Sequence, residues 1–179
     1  MTQNRKPLDG IRVLDFTRVL AGPYATAMMA DLGADVVKVE APGGDEYRHI
    51  GPFRNGESAL FQTANRGKRS LVLDLRSSGD LAIARDLALR ADVMVENFRP
   101  GVMARLGLDE ASLHADNPRL VYASVSGFGQ SGPNAARPAY DVIVQAMSGL
   151  MDLTGEPDAA PTMVGEAMAD VAGGLCAAW

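Results

Sequence analysis

The sequence predicts an open α/β domain built on a mainly parallel sheet. Short apolar runs typical of buried strands alternate with stretches that have the composition of helices. The connections between the first of them are short, which favours parallel β-α-β units. Hydrophobic residues make up 47% of the chain and charged residues 22%, a composition typical of a folded globular protein. A length of 179 residues fits one domain or a large part of one.

The first β-α-β unit is predicted near the start of the chain. Residues 11–16 form an apolar run that predicts a buried strand. Pro23 fits the first turn of a helix, and residues 25–32 are strong helix formers. Gly33 fits the position just past the helix end, and residues 35–40 predict the second strand.

The middle of the chain divides into an irregular stretch and a regular one. Residues 41–67 are rich in Gly, Pro, Arg and Asn, and we expect a long loop, which in a compact domain is often functional. After it we predict strands over residues 70–75, 93–96 and 120–124, and helices over residues 80–91, 100–106, 109–114, 140–151 and from 167 onward. Ligands bind at the carboxyl ends of parallel strands, which are residues 17–21, 41–44, 97–101 and 126–129.

The charge balance and the numbers of cysteines and histidines argue against several classes of protein. Lys and Arg total 17 against 22 Asp and Glu, and the net charge of -5 argues against a general nucleic-acid binder while allowing a local basic pocket. Cys176 is the single cysteine, which excludes an internal disulfide framework and fits a reducing compartment. With two histidines, a structural zinc site is not expected. The polar first ten residues and the short charge-free stretches predict a soluble, cytoplasmic protein without signal peptide or membrane span.

Residues 127–132 match the pattern G-x-G-x-x-G of dinucleotide-binding loops. The match follows a predicted strand, but Pro133 comes next and no helix opens on the third glycine. That helix end is what holds a pyrophosphate, and the first β-α turn contains only Gly22. We therefore expect no nicotinamide or flavin, and interpret the motif as a loop over a ligand or a neighbouring helix.

Two cationic motifs stand beside predicted strands. Residues 65–69, Asn-Arg-Gly-Lys-Arg, taken alone favour a solvated basic turn. Residues 97–101, Asn-Phe-Arg-Pro-Gly, follow a strand and start a helix that also carries Arg105. An aromatic face, free N–H groups and guanidinium groups there suit an adenine and phosphates. A capped helix with a surface arginine is an equally good interpretation.

Carboxylates near the end of the chain are candidate catalytic groups. Asp170 lies among small residues, so it is either a helix cap, which the residues alone favour, or a nucleophile that a bulky substrate can approach. Tyr140 and Asp141 start the preceding predicted helix and offer a hydroxyl and a second carboxylate, or a cap. His49 and His114 have no partners by spacing and are taken as surface residues.

Several motifs in order resemble the family III CoA-transferases, the family of formyl-CoA transferase and carnitine CoA-transferase, which also includes α-methylacyl-CoA racemase. The resemblance runs from about residue 7 to residue 179 and rests on residues 15–23, 32–40, 65–75, 95–101 and 126–129. It implies a Rossmann-like large domain that binds coenzyme A, or acyl-CoA as substrate, without a metal. Family members are about twice this length, form interlocked dimers and have a second, smaller domain.

The resemblance implies that residues 1–179 are the N-terminal CoA-binding portion of the large domain and carry the catalytic aspartate. The small domain and the returning C-terminal segment would then be absent from this chain. Either an interlocked homodimer or association with a chain that supplies the missing half is expected. The expected partners are small molecules, an acyl-CoA and a carboxylic acid, with neither nucleic acid nor membrane.

The resemblance also assigns the site. The catalytic aspartate falls on Asp170, with Asp141 and Tyr140 assisting. Ala41 stands where some members have Arg. The implied CoA-binding positions are Arg18, Leu20, Ala21, Ala41, Lys68, Arg69, Asn97, Phe98, Arg99, Arg105 and Arg137.

The implied function is CoA transfer from an acyl-CoA to a free carboxylic acid through an aspartyl-CoA thioester. One alternative is a racemase-like enzyme, but racemases of the family carry a His where this chain has Tyr140, so one proton-transfer group would be missing. The other alternative is a truncated CoA-binding fragment without turnover.

Overall fold

A computed structural model of the protein describes residues 5–179, with a five-stranded parallel sheet at its centre. Its strands are β1 (Arg12–Asp15), β2 (Asp35–Glu40), β5 (Arg69–Val72), β6 (Val93–Glu96) and β7 (Val121–Ser124). The short strands β3 (Phe53–Arg54) and β4 (Glu57–Ser58) form a separate antiparallel hairpin. The order across the main sheet is β5-β2-β1-β6-β7, and all neighbouring pairs are parallel. The predicted α/β class with a mainly parallel sheet is confirmed.

Seven α-helices connect or flank these strands in the described part of the chain. They are α1 (Ala21–Asp31), α2 (Ala59–Asn65), α3 (Ser78–Arg90), α4 (Val102–Leu106), α5 (Glu110–His114), α6 (Asp141–Met147) and α7 (Met168–Ala178). Within residues 5–179, none of these helices has the length and apolar character needed to cross a membrane.

The prediction of one long loop over residues 41–67 is wrong. That stretch contains a 3-10 turn (Glu46–His49), the β3–β4 hairpin and α2. Helix α2 begins because Ser58 caps it, its Oγ accepting a hydrogen bond from the Phe61 backbone nitrogen at 3.2 Å. The following seven residues contain neither Gly nor Pro, so the helix continues to Asn65.

The central strands β1, β2 and β6 are buried on both faces, as is usual in a parallel sheet, whereas the edge strands β5 and β7 are more exposed. Side chains alternate along β1, so Leu14 packs in one cluster with Met94 and the inner face of α3, including Ala84. Val13 points the other way and packs with Met29 of α1. The two clusters are the apolar layers that hold the strand ends in register.

The strand order reverses between the neighbouring strands β1 and β6. The strands that follow β1 in sequence, β2 and β5, lie on one side of this pair, and β7, which follows β6, lies on the other side. In open α/β sheets this switch point, at the carboxyl ends of the strands, is where ligands bind. Helix α7 is brought there by close packing on α1. A Cβ added to Gly174 would lie 2.6 Å from the Ala21 carbonyl oxygen, so only glycine allows this approach.

Candidate active site

A cavity of about 310 Å³ lies at the switch point of the sheet. Its walls come from the segments after β1, β6 and β7 and from α6 and α7. The lining includes most of the residues that the sequence analysis proposed, namely Arg18, Leu20, Ala21, Asn97, Phe98, Arg99, Arg137, Tyr140 and Asp170.

Asp170 reaches this cavity from the first turn of α7. The residue before the helix is Ala167, and Asp170 is its third helical residue, so the interpretation of Asp170 as the cap is wrong. Its carboxyl is half-buried, and both burial and the charge of Asp141 raise the pKa of Asp170 to about 6. A carboxylate destabilised in this way is a better nucleophile than one paired with a cation.

Asp141 lies behind Asp170 and holds the start of α7. It is buried, and its Oδ1 accepts a hydrogen bond from the Ala169 backbone nitrogen at 2.7 Å and a longer one from the Asp170 nitrogen at 3.4 Å. These are N–H groups that a helix leaves unpaired at its start, so Asp141 supplies from α6 the cap that α7 lacks. In this structure Asp141 positions the first turn of α7, which carries Asp170.

Gln145 completes this arrangement, and sequence reasoning missed it. Its fully buried amide donates to Asp141 Oδ2 at 2.5 Å and to the Glu166 carbonyl oxygen at 3.2 Å. Its Oε1 accepts a hydrogen bond from the Val164 nitrogen at 3.0 Å. The available signal was the spacing, because a residue four positions after Asp141 lies on the same helix face.

The opposite wall of the cavity is cationic and aromatic. The Arg18 guanidinium lies 5.4 Å from the centre of the Phe98 ring and 3.6 Å from a Glu46 carboxylate oxygen. Arg137 lies 5.4 Å from the centre of the Phe128 ring. Arginines stacked on aromatic rings suit both a nucleobase and phosphate groups.

Tyr140 lines the cavity at the position just before α6. Its side chain is 65% exposed, so its hydroxyl is open to a ligand or to further protein. Its assisting role stays a prediction.

Lys68 and Arg69 lie away from the cavity. The Lys68 ammonium is buried and donates to Asp15 Oδ2, Pro23 O and Asn65 Oδ1 at 2.8–2.9 Å. Burial lowers the pKa of Lys68 to about 8 although Asp15 opposes the shift. Arg69 pairs with Asp35 at the amino end of the sheet, 2.7 Å away. This geometry favours structural roles for both cations, and the CoA contacts that the resemblance implies for them stay predictions.

Ala41 and Arg105 are exposed and also lie outside the lining of the cavity. Arg105 is near its rim, since a Cβ added to Gly101 would lie 3.7 Å from Arg105 Nη1, and the neighbouring Pro100 lines the cavity. Their contacts with CoA stay predictions.

The glycine-rich segment 127–132 is a loop, as expected. No described residue of it is helical, and the next helix begins only at Asp141. Gly127 lines the cavity, where a Cβ on it would lie 2.4 Å from the Cβ of Ala139. Within residues 5–179, no three His, Cys, Asp or Glu side chains are grouped as metal ligands would be.

The sequence profile named CoA-transferase family III matches residues 8–179. The chain belongs to this family. Among its curated relatives, an acetyl-CoA:oxalate CoA-transferase of Acetobacter aceti is 53% identical over 94% of this chain and 44% of its own length. A succinate–glutarate CoA-transferase of Agrobacterium fabrum is 49% identical, over 98% of this chain and 46% of its own.

A solved structure shows the same fold. The crystal structure of a CaiB/BaiF family protein from Brucella suis matches 98% of this chain and 48% of its own, with 46% identity and a TM-score of 0.94. This family III chain thus spans about half the length of the relatives that it matches.

Proposed function

We propose that this chain carries the CoA-binding wall and the nucleophile of an enzyme that transfers CoA from an acyl-CoA to a free carboxylic acid. The observation that carries the proposal is the half-buried Asp170 carboxyl, which faces a cavity with a cationic and aromatic wall. Membership of family III supports the reaction class, since the relatives described above are named as CoA-transferases.

The first half of the reaction consumes the donor. A carboxylate oxygen of Asp170 attacks the thioester carbonyl, the carbon–sulfur bond breaks, and a mixed anhydride forms as CoA thiolate leaves. The thiolate then attacks the Asp170 carbonyl carbon, which gives an aspartyl-CoA thioester and releases the donor acid as a carboxylate. Covalent catalysis of this kind keeps the thioester energy within the enzyme.

The second half repeats these steps in reverse with the acceptor. The acceptor carboxylate attacks the aspartyl-CoA carbonyl, forms a second mixed anhydride and expels CoA thiolate again. The thiolate attacks the acceptor's carbonyl carbon, which yields the new acyl-CoA and restores the Asp170 carboxylate. No proton is needed at any step, so a neighbouring acid such as Asp141 serves the reaction by placing Asp170.

We also propose that the acceptor is a dicarboxylic acid. The two curated relatives act, by their names, on oxalate and on succinate and glutarate. A second carboxylate needs a cation near Asp170, and Arg18, Arg99 and Arg137 line the same cavity. Bidentate arginine contacts are well suited to a carboxylate.

The whole protein is proposed to cover the outer side of α6 and α7 with further chain, in an interlocked homodimer as the resemblance implies. Apolar side chains on these two helices are exposed in the described structure: Val142, Ile143, Met147 and Leu175. Exposed apolar surface of this kind marks an interaction site.

Trapping of the covalent intermediate tests the proposal. The full-length protein is incubated with an acyl-CoA and a dicarboxylic acid, and hydroxylamine is added during turnover. We expect a hydroxamate on the peptide that contains Asp170, found by mass spectrometry. Borohydride should instead reduce the same side chain to an alcohol.

Two aspartate variants control this experiment. Asp170→Asn should bind CoA but lose both exchange and trapping, because an amide is a much weaker nucleophile than a carboxylate. Asp152→Asn, which changes an exposed aspartate, should retain both. Substantial exchange in Asp170→Asn, or trapping at another residue, would contradict the proposed mechanism.

A further inference from the structure

The turn between β1 and α1 contains a strained residue. Val19 has a φ of 68°, in the left-handed region that β-branched residues rarely occupy. Such strain persists only where the surroundings impose it, and it concentrates at functional sites. Val19 lies in the lining of the cavity, so what holds it in this conformation bears on ligand binding.

A buried ion pair holds the two ends of this turn. Lys38 projects from the middle of β2 and is only 1% exposed, and its Nζ donates to the Thr17 carbonyl oxygen at 2.6 Å. Asp45 is 4% exposed, lies 2.8 Å from the Lys38 ammonium, and accepts a hydrogen bond from the Val19 nitrogen at 3.2 Å. Lys38 therefore holds Thr17, the residue before Arg18, and Asp45 holds Val19, the residue after it.

Asn97 holds the residue between them. Its Oδ1 accepts a hydrogen bond from the Arg18 backbone nitrogen at 2.9 Å, and its Nδ2 donates to the Arg18 carbonyl oxygen at 2.8 Å. Three successive residues are thus tied through their main chain to three side chains from outside the turn. The Arg18 side chain remains directed to Phe98 and the cavity.

The turn decides what the cavity presents to a ligand. Leu20 and Ala21 follow Val19 and line the cavity, and Ala21 is the first residue of α1. Among the described residues, no side chain caps this helix, so its first backbone N–H groups lack such a partner at the point where Ala21 lines the cavity. A rotation of Val19 to an ordinary φ would turn both these groups and Arg18 away from their present directions.

Packing does not explain the choice of Lys38 and Asp45. Taking two charges out of water is costly, and apolar residues of similar volume often serve a protein interior as well or better. Neither side chain lines the cavity, so direct contact with a ligand does not explain them either. Asp45 also caps the 3-10 turn that follows it, accepting a hydrogen bond from the Tyr47 nitrogen at 2.9 Å, but the turn after β1 is the element that Lys38 and Asp45 hold together.

We propose that Lys38 and Asp45 are positioning residues for CoA: they hold Val19 in its left-handed conformation and so aim Arg18 and the start of α1 at the ligand. This rests on the proposed function only in naming CoA as the ligand.

A rescue experiment in the full-length protein separates positioning from general stability. Asp45→Ala should weaken CoA binding, measured by calorimetry, by about tenfold, and raise the KM for acyl-CoA more than it lowers kcat. Adding Val19→Gly should restore most of the affinity, because glycine adopts a positive φ without being held. Adding Val19→Ala, the matched control, should not. If Asp45→Ala fails to fold, Asp45→Asn replaces it in the same comparison.

Stability is measured alongside binding. The Tm should fall in Asp45→Ala and stay low after Val19→Gly, since Lys38 remains buried without its partner. Arg85→Ala removes contacts with Gly107 and Asp116, and because none of these three residues lines the cavity, it should lower the Tm without changing CoA affinity.

Three results would overturn the proposal: unchanged CoA affinity in Asp45→Ala, equal affinity in the Gly and Ala double variants, or a loss of affinity in Arg85→Ala as large as in Asp45→Ala. A wild-type protein that binds CoA but catalyses no exchange would contradict the transferase proposal alone. The positioning proposal would then still be judged on the binding data.

Discussion

Asp141 accepts a hydrogen bond from the backbone nitrogen of Asp170 at 3.4 Å, and a shorter one of 2.7 Å from the preceding nitrogen of Ala169. The Asp141 carboxylate therefore affects Asp170 in two ways. It fixes the first turn of the helix that carries Asp170, and its negative charge, added to burial, raises the pKa of Asp170. The position and the protonation of Asp170 are therefore linked through the side chain of Asp141.

Activity is expected to follow the ionisation of Asp170. With a pKa of about 6, the nucleophilic carboxylate is lost as the pH falls, so kcat/KM should drop tenfold per pH unit below 6 and level off above it. Removing the neighbouring charge in Asp141→Asn should move this midpoint to lower pH. Initial rates from pH 4.5 to 8 measure it, and a midpoint unmoved by Asp141→Asn would show that its charge is not felt at Asp170.

Ionisation of Asp170 is also expected to lower the free energy of unfolding. The folded-state pKa of Asp170 is raised from 3.8 to about 6, so the folded protein holds the proton more tightly, and stability declines as the pH rises from about 4 to about 6. Asp170→Asn should therefore be more stable than the wild type at pH 7.5, on the order of 1 kcal/mol after allowance for solvent screening. At pH 4 the difference should vanish. Urea unfolding at the two pH values checks this, and a constant difference would contradict it.

The arginines of the cavity are expected to bind the charged parts of CoA. Charge-assisted hydrogen bonds contribute about 1.5–3 kcal/mol, so Arg18→Ala, Arg99→Ala and Arg137→Ala should each weaken CoA binding by about tenfold or more. Calorimetric titration with CoA measures the effect. Arg76→Ala, at an exposed arginine paired with Asp74, is the control and should change affinity less than twofold.

Lys68 is expected to matter for folding. Lys68→Met would remove the ammonium that pairs directly with the fully buried Asp15, and breaking one partner of a buried pair typically destabilises by about 3–5 kcal/mol. The folded fraction should bind CoA with affinity close to that of the wild type. Thermal unfolding and CoA titration together decide between this role and the CoA contact that the family resemblance implied: a large loss of affinity with an unchanged Tm would favour the CoA contact.

Gly174 is expected to tolerate no side chain. Gly174→Ala places a Cβ 2.6 Å from the Ala21 carbonyl oxygen, so α7 must move away from α1, and we expect both a lower Tm and a lower kcat. Gly173→Ala is the matched control for stability: its added Cβ meets no atom within 4 Å, and alanine favours a helix over glycine by about 1 kcal/mol. Differential scanning calorimetry distinguishes the two, and equal Tm values would contradict the close packing of α1 on α7.

The sequence predicted the sheet better than it predicted the site. Strands β2 and β6 have the bounds expected from their apolar runs, because a parallel strand buried on both faces leaves a clear local pattern. Helix α2 escaped detection because Gly and Pro on its amino-terminal side masked the cap at Ser58. The helical stretch has only seven residues, and the irregular sequence around it is longer, so the sequence predicts a loop for the whole segment.

Side-chain roles at the site depended on contacts that no local pattern contains. Lys68 shares its motif with exposed cations, and only the fold shows that its partner is Asp15, 53 positions earlier. Lys38 was visible as a charge within a buried strand, yet nothing near it in sequence identifies Asp45 or Val19 as what it holds. The family resemblance identified Asp170 as the candidate nucleophile, and the structure showed that Asp141 and burial determine its surroundings.

The packing of α7 on α1 also sets an order of assembly. Arg18 and the start of α1 leave the ribosome early, whereas Asp170 arrives only after all five strands of the sheet have been made. Asp170 can therefore take its place at the cavity only after β1, α1 and the rest of the sheet have been synthesised. Within these residues, the part of α1 against which α7 packs is thus made well before the helix that packs on it.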